Sequence, residues 1–427
     1  MNKPAPIGRR WMTLFTLAWL VIWMAQLTPL QLLLPLQLDS QTSEDGDRWI
    51  HSVVVSGVIL GIGGLVAVIA GPLAGAASDR TDGSRFPGWL GCRRRIWAFG
   101  GVWAMVVFLV LTGLAHKPWL VALCWIGVSV AVAVASAAFT AMIPDQLAPD
   151  QRGAASASIG SSQALGIVLG VGIVVALGLD VFPGYLVLAG LVAVIGTWAA
   201  LALPDPPAPK NELASPGTEL LDTRRWASLR DRDFCWMLAG RLVGNIGNAL
   251  GTSLLLFFLL YGLNQDKADA ENNLLLLIVV YTVFVVGSSI IFGMISDRSG
   301  HRRALTAIAA LIQSLAGIAI VIHTSYEVTM IAAAFMGIGY GAFMTVGLAF
   351  ATDLLPNAKD HGRDLGIVNV SAALGQLIGP MVGAGLVAAA GGFWLVFIGA
   401  SALSILGAVM TLGARERKPE PEPVHLA

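Results

Sequence analysis

Gly293-Met294-Ile295-Ser296-Asp297-Arg298-Ser299-Gly300-His301-Arg302-Arg303 closes an apolar run near 273–295, and a shorter copy, Gly75-Ala76-Ala77-Ser78-Asp79-Arg80, closes another near 51–77. Asp297 lies 218 residues after Asp79. A second pair of loops repeats at a similar interval. Pro144-Asp145 through Pro149 to Arg152 and Gly153 follows the run near 118–143, and Asp353 through Pro356 to Arg363-Asp364-Leu365-Gly366 follows the run near 328–352, with Arg363 211 residues after Arg152. The chain is therefore one pattern written twice.

Composition says what the pattern is made of. Hydrophobic residues fill 56% of 427 positions, charged residues only 12%, and there are 49 glycines. Soluble domains carry roughly 25% charge, so an ordinary soluble globule is excluded. The remaining charge sits in short clusters between apolar runs of about 18 to 25 residues, enough for a helix to cross a ~30 Å hydrocarbon core. A backbone in lipid must satisfy its own hydrogen bonds, which makes these runs helices. Twelve spans are expected, near 11–38, 51–77, 96–114, 118–143, 153–178 and 182–203, then 234–263, 273–295, 304–322, 328–352, 364–390 and 392–413. The fold class is an all-α membrane protein of two pseudo-symmetric six-helix bundles, 1–203 and 234–413, joined by a linker at 204–233 and followed by a tail at 414–427.

The linker opens Pro-rich at Pro204, Pro206, Pro207 and Pro209, and Leu220, Leu221 and Trp226 could lie on one side of a short surface helix. Arg9 and Arg10 precede an apolar stretch too long for a signal peptide, so it is expected to stay as the first span. All but four of the 26 Lys and Arg residues fall on one side if both termini are cytoplasmic; the exceptions are Arg48, Lys117, Lys267 and the intramembrane Arg241. That asymmetry sets the orientation; the expected location is the cell (plasma) membrane, multi-pass, with both termini cytoplasmic. Cys92, Cys124 and Cys235 lack metal-ligand spacing and read as structural thiols. The six histidines form no metal cluster, a zero net charge gives no sign of nucleic-acid binding, and no phosphate-binding glycine loop points to ATP. No enzyme chemistry, cofactor or metal is expected. The expected partners are a small-molecule substrate and the lipid bilayer, with the chain acting as a monomer.

With these residues in view, the chain resembles the major facilitator superfamily over essentially its whole length. The signature loop G-x-x-x-D-R-x-G-R-R is nearly intact from Gly293 to Arg303, with His301 inserted. The first copy is longer. Ser78-Asp79-Arg80-Thr81, then Ser84-Arg85, Gly91 and Arg93-Arg94-Arg95, is similar to the S-D-R-x-x-S-R-x-G-R-R-R-P loop of the sucrose and glycoside transporter branch, with Ile96 in place of the proline. The resemblance implies alternating access by rocking of the two halves. Asp79 sits at a helix C-terminus, where the dipole already carries partial negative charge, so arginines or a neighbouring helix must offset it. The gating candidates are Asp79, Arg80, Arg93, Arg94, Asp297, Arg298, Arg302, Arg303, Arg152 and Arg363. A static clamp at the membrane surface is the competing reading.

For the substrate, Arg241 is the first candidate. Its span holds no acidic partner, and a central arginine costs about 2.5 to 3.5 kcal/mol on insertion scales. Asn245, Asn248 and Thr252 continue one polar stripe from it at helical spacing. The matching stripe in the first span is Trp19, Trp23 and Gln26. Tyr281, Tyr340, Asn369 and Gln376 are further binding candidates, and Ser129, Ser136, Thr140 and Ser288 are weaker ones. Each could equally hold helices together. Gly375 through Gly379, Pro380 and Gly383 reads as close packing with a proline kink. Acidic residues are missing from every span interior, so the carboxylate a proton or sodium site needs is missing too. The expected function is a secondary transporter of a small polar or amphipathic organic solute, with a sugar or glycoside first. The alternatives are an exporter of drugs or natural products and a non-transporting receptor or scaffold of the same fold.

Overall fold

The computed structural model describes residues 8–42, 49–81, 93–148, 151–205, 230–354 and 361–416, without the side chains of 361–367, 369 and 372. The possible surface helix at 220–226, the loop residues Arg85 and Cys92, and the end of the tail lie outside the described residues. No strand occurs among those described.

Among the described residues, eleven helices are long and apolar enough to cross a membrane, and a bent pair, counted as one span, brings the number to twelve. They are α1 (Arg9–Thr42), α2 (Trp49–Arg80), α3 (Arg95–Leu114), α4 (Pro118–Gln146), α5 (Arg152–Ala176) and α6 (Val181–Ala202) in the first half of the sequence. The second half has α7 (Arg232–Ser253 with Leu255–Gly262), α8 (Lys267–Ser299), α9 (Arg302–Ile322), α10 (Tyr326–Asp353), α11 (His361–Ala390) and α12 (Trp394–Gly413). The all-helical membrane fold is thus as the apolar run lengths demand.

Irregularities have local causes. Pro29 has no N–H to donate inside α1, and the helix widens to a π-turn over Pro29–Leu33 in which the Leu34 N–H reaches the Pro29 carbonyl. In α7 the 41° bend falls at Leu254, whose backbone (φ −109°, ψ 18°) leaves the helical region without any proline. Gly300 has φ +68° in the turn between α8 and α9, a left-handed conformation that suits glycine, which gives the signature glycine a backbone reason.

The chain packs as two compact units. One comprises 1–218, 249–282 and 376–396; the other comprises 219–248, 283–375 and 397–427. Within the first, α3 packs on α4 and α6, α2 on α4, and α1 on α5. Its α2 also presents Gly57, Gly61 and Gly64 to Leu377, Pro380, Met381 and Ala384 of α11, so the missing side chains let the two backbones approach. Within the second, α9 packs on α10. Gly339 of α10 abuts the Gln313 backbone of α9, and Gly240 and Gly247 of α7 abut α12. Large apolar side chains remain exposed along α2 (Leu65, Ile69, Leu73) and α8 (Val283, Ile290, Ile291), the surface a lipid-embedded helix needs.

Candidate functional site

The signature loops build two charge clusters, each within one unit. In the first, Arg94 stands just before α3. Its Nη2 lies 2.6 Å from Asp79 at the end of α2, its Nε 2.9 Å from Asp145 of α4, and its Nη1 donates to Ser78 Oγ at 2.9 Å. Arg93 adds a 3.1 Å pair with Asp145. The Arg94 side chain is only 5% exposed. Burial alone would lower its pKa, but hydrogen bonds and charge attraction from Asp145 and Asp79 outweigh that and hold it above the ordinary value. Asp205 accepts from the Arg94 and Arg95 backbone N–H groups at 2.7 and 2.8 Å. Those are orphan donors of the α3 N-terminus, and an anion there is favoured by the dipole.

The second cluster repeats this plan in α8, α9 and α10. Arg302 pairs with Asp353 at 2.6 Å and with Asp297 at 3.5 Å, and donates to the Ala349 carbonyl at 3.2 Å. Glu416, just past α12, accepts from the Arg303 N–H at 2.7 Å, as Asp205 does past α6. The described partners of Asp79 and Asp297 thus lie within the same half of the sequence. Arg152 folds back onto the end of α4, donating to the Leu147 and Pro144 carbonyls. Arg80 and Arg298 are exposed. The Arg363 side chain lies outside the described residues.

Arg241 sits nine residues into α7, roughly 14 Å along the helix, and is 3% exposed. It does not extend to the helix end as a snorkelling arginine would. Its guanidinium turns to α10, where Nη1 meets the Met344 carbonyl and Nη2 the Met344 sulfur, both at 3.5 Å. Nε has no partner among the described residues. The Tyr340 phenol is close enough to interact electrostatically, and Gly347 leaves room beside Nη1, which a Cβ would approach to 3.1 Å. Among the described residues no carboxylate pairs with Arg241. Asn245, one turn on, donates to the Arg241 carbonyl at 2.8 Å and packs against Gly375 of α11, while Asn248 is buried a further turn along α7. Of the stripe, Arg241, Asn245 and Asn248 are buried and Thr252 is half-buried.

The matching stripe on α1 is aromatic. Trp11, Phe15, Trp19 and Trp23 form a continuous ladder with centroid spacings of 4.8, 6.3 and 5.9 Å. The indole N–H groups of Trp19 and Trp23 are buried without a partner among the described residues, and Gln26 is half-buried on the same face. Trp19, Trp23 and Gln26 precede Arg241, Asn245 and Asn248, in that order, by 222 residues.

Of the other candidates, Tyr340 lies near Arg241. Tyr281 and Tyr340 are partly buried, on α8 and α10, and Gln376 is exposed on α11. The Asn369 side chain lies outside the described residues. Ser288 donates to the Val285 and Gly337 carbonyls, the packing use of such hydroxyls. No group of three metal-ligating side chains occurs among the described residues.

Sequence reasoning missed a third cluster, at the end of the first unit opposite Arg94. Trp49 of α2 stacks on Tyr261 of α7 at 5.3 Å and on Phe393 at 5.5 Å, and the Tyr261 hydroxyl donates to Asp39 of α1 at 2.7 Å. These residues come from both halves of the sequence. An aromatic near a span end reads by default as an interfacial anchor, so only three-dimensional placement reveals the stack.

The chain matches the Major Facilitator Superfamily over residues 86–288 and 241–426. Among solved structures it is similar to the nucleoside transporter NupG, with TM-score 0.68 and 15% identity over 96% of this chain and 99% of that one. A point mutant of the same transporter gives TM-score 0.71 and 13% identity over 94% and 98%. The chain is also similar to the human organic anion transporter MFSD10, with TM-score 0.65 and 17% identity over 95% and 100%. None of the curated proteins matches it by sequence.

Proposed function

The chain belongs to the major facilitator superfamily and is a secondary transporter; we propose that it moves a small polar or amphipathic organic solute across the cell membrane by alternating access of its six-helix halves, 1–203 and 234–413. The observation that carries the proposal is Arg241, a buried intramembrane cation with an incomplete set of partners among the described residues. An ionisable residue at such depth is expensive and marks a pathway by default. Asn245, Asn248 and Tyr340 supply hydrogen-bonding groups on the same side of the second unit. Trp23, Gln26, Tyr281, Asn369 and Gln376 are the secondary contacts of this reading.

The clusters around Arg94 and Arg302, with Arg80, Arg93, Arg152, Arg298, Arg303 and Arg363, are proposed to bias the gate on the cytoplasmic side, to which this reading assigns both termini. The Trp49–Tyr261–Phe393 stack with Asp39 is proposed as the seal on the opposite side. A sugar or glycoside is the first substrate class, supported by the wording of the first loop at 78–95. Nucleosides and organic anions, named for the structures of similar fold, belong in the same panel. The test is uptake and efflux of such a panel in proteoliposomes. A carrier gives saturable flux that Arg241→Ala weakens; a scaffold of the same fold gives none with any solute.

A further inference from the structure

We propose that the solute carries an anionic group, a carboxylate or an equivalent oxyanion, which binds Arg241, and that Met344 holds the guanidinium until that group arrives. This rests on the reading that Arg241 faces the solute. The chain provides its own standard for a satisfied buried arginine. Arg94, with a side chain 5% exposed, has two carboxylates and a hydroxyl at 2.6 to 2.9 Å, the range of charge-assisted bonds. Arg241 is as deeply buried and, among the described residues, has neither a carboxylate nor a short contact. Its two hydrogen bonds are both 3.5 Å long, one of them to a thioether, and Nε makes none.

A guanidinium offers five donors in a planar fork that fits a carboxylate with two parallel bonds. The groups around this one do not complete it. Asn245 gives its amide N–H to the Arg241 carbonyl, and among the described residues its amide oxygen takes no hydrogen bond from the guanidinium. The Tyr340 phenol carries no charge while protonated. Methionine sulfur is a weak acceptor on a flexible side chain, so it can rotate away at small cost. Gly347 keeps the space beside Nη1 clear of a side chain. A neutral hydroxyl-rich solute would supply acceptors but leave the positive charge uncompensated in a region of low dielectric, where an anion satisfies both needs.

The experiment uses the purified full-length protein and reads thermal stabilisation by small carboxylates (lactate, benzoate, gluconate, glucuronate) against their carboxamides. The expected result is stabilisation by at least one carboxylate, with a preference over its carboxamide of roughly tenfold to a hundredfold in half-saturating concentration. Arg241→Met should abolish that stabilisation and raise the melting temperature of the unliganded protein, because an uncompensated buried cation has gone. Arg241→Lys, which keeps charge but not the fork, should retain a reduced preference. A lower melting temperature or failure to fold for Arg241→Met would show a structural brace and overturn the proposal. So would a wild type indifferent to every carboxylate, or one stabilised equally by the carboxamides. Neutral sugars or nucleosides whose binding disappears in Arg241→Met would remove the anion but keep the site. Solute binding unchanged by Arg241→Met would remove the site itself.

Discussion

Arg94 and Arg302 occupy equivalent places in the two halves, and their surroundings differ in tightness. The two arginines are 208 residues apart in sequence, and so are their partners Asp145 and Asp353. Asp79 is 2.6 Å from Arg94, whereas Asp297 is 3.5 Å from Arg302. The Arg302 side chain is 24% exposed against 5% for Arg94, and Asp297 is 75% exposed. A nearly intact signature thus sits over the looser cluster, and the departed copy over the tighter one. Each arginine has two acids, so what differs is the burial of the arginine and how closely the second acid approaches it. Exposed pairs contribute little, while a buried arginine that loses its partners, or leaves them behind, is costly.

The comparison can be broken by mutation. Arg94→Met should destabilise the protein by about 3 kcal/mol, the low end for breaking a buried pair because Asp79 and Asp145 keep some water. Arg302→Met should cost only about 0.5–1 kcal/mol. Thermal melts of the purified variants compare them directly; equal losses would mean the two clusters are energetically alike. Next in size are the helix caps. Asp205→Ala removes acceptors from two backbone N–H groups and should cost about 2 kcal/mol, against about 1 for Glu416→Ala, which serves one. A similarly small stability change, about 1 kcal/mol, is expected for Tyr261→Phe, which deletes the bond to Asp39 but keeps both stacking faces. Its signature is kinetic: a weakened seal should shift accessibility of a cysteine placed beside Trp49. For turnover, Asp79→Asn should slow flux more than Asp297→Asn, with expression preserved in both, and proteoliposome rates check the order.

Much of this is legible in the sequence. Apolar run length sets the spans, the doubled loops set the repeat, and Arg241 stands out because the apolar run 234–263 holds no acid. Helical spacing also places Asn245 and Asn248 with it. Other features depend on partners distant in the chain. Asp205 and Glu416 look like ordinary residues after a final span until they are seen capping α3 and α9. Met344 reads as one more apolar residue of α10, and nothing but its placement puts its sulfur against a guanidinium. The bend at Leu254 has no proline to announce it. The aromatic stack joins Trp49 to Tyr261 and Phe393 across more than 200 positions of sequence, and no local pattern encodes that.

The most direct test of the account is solute exchange. Proteoliposomes are loaded with the unlabelled solute that the panel identifies, and entry of its labelled form is followed for the wild type, Arg241→Lys and Arg241→Gln, each first shown to be folded. The account predicts rapid saturable exchange in the wild type, a weakened apparent affinity in Arg241→Lys, and a larger loss in Arg241→Gln, on the order of 1.5–3 kcal/mol when expressed as binding free energy. Exchange in Arg241→Gln with the affinity and rate of the wild type would contradict it.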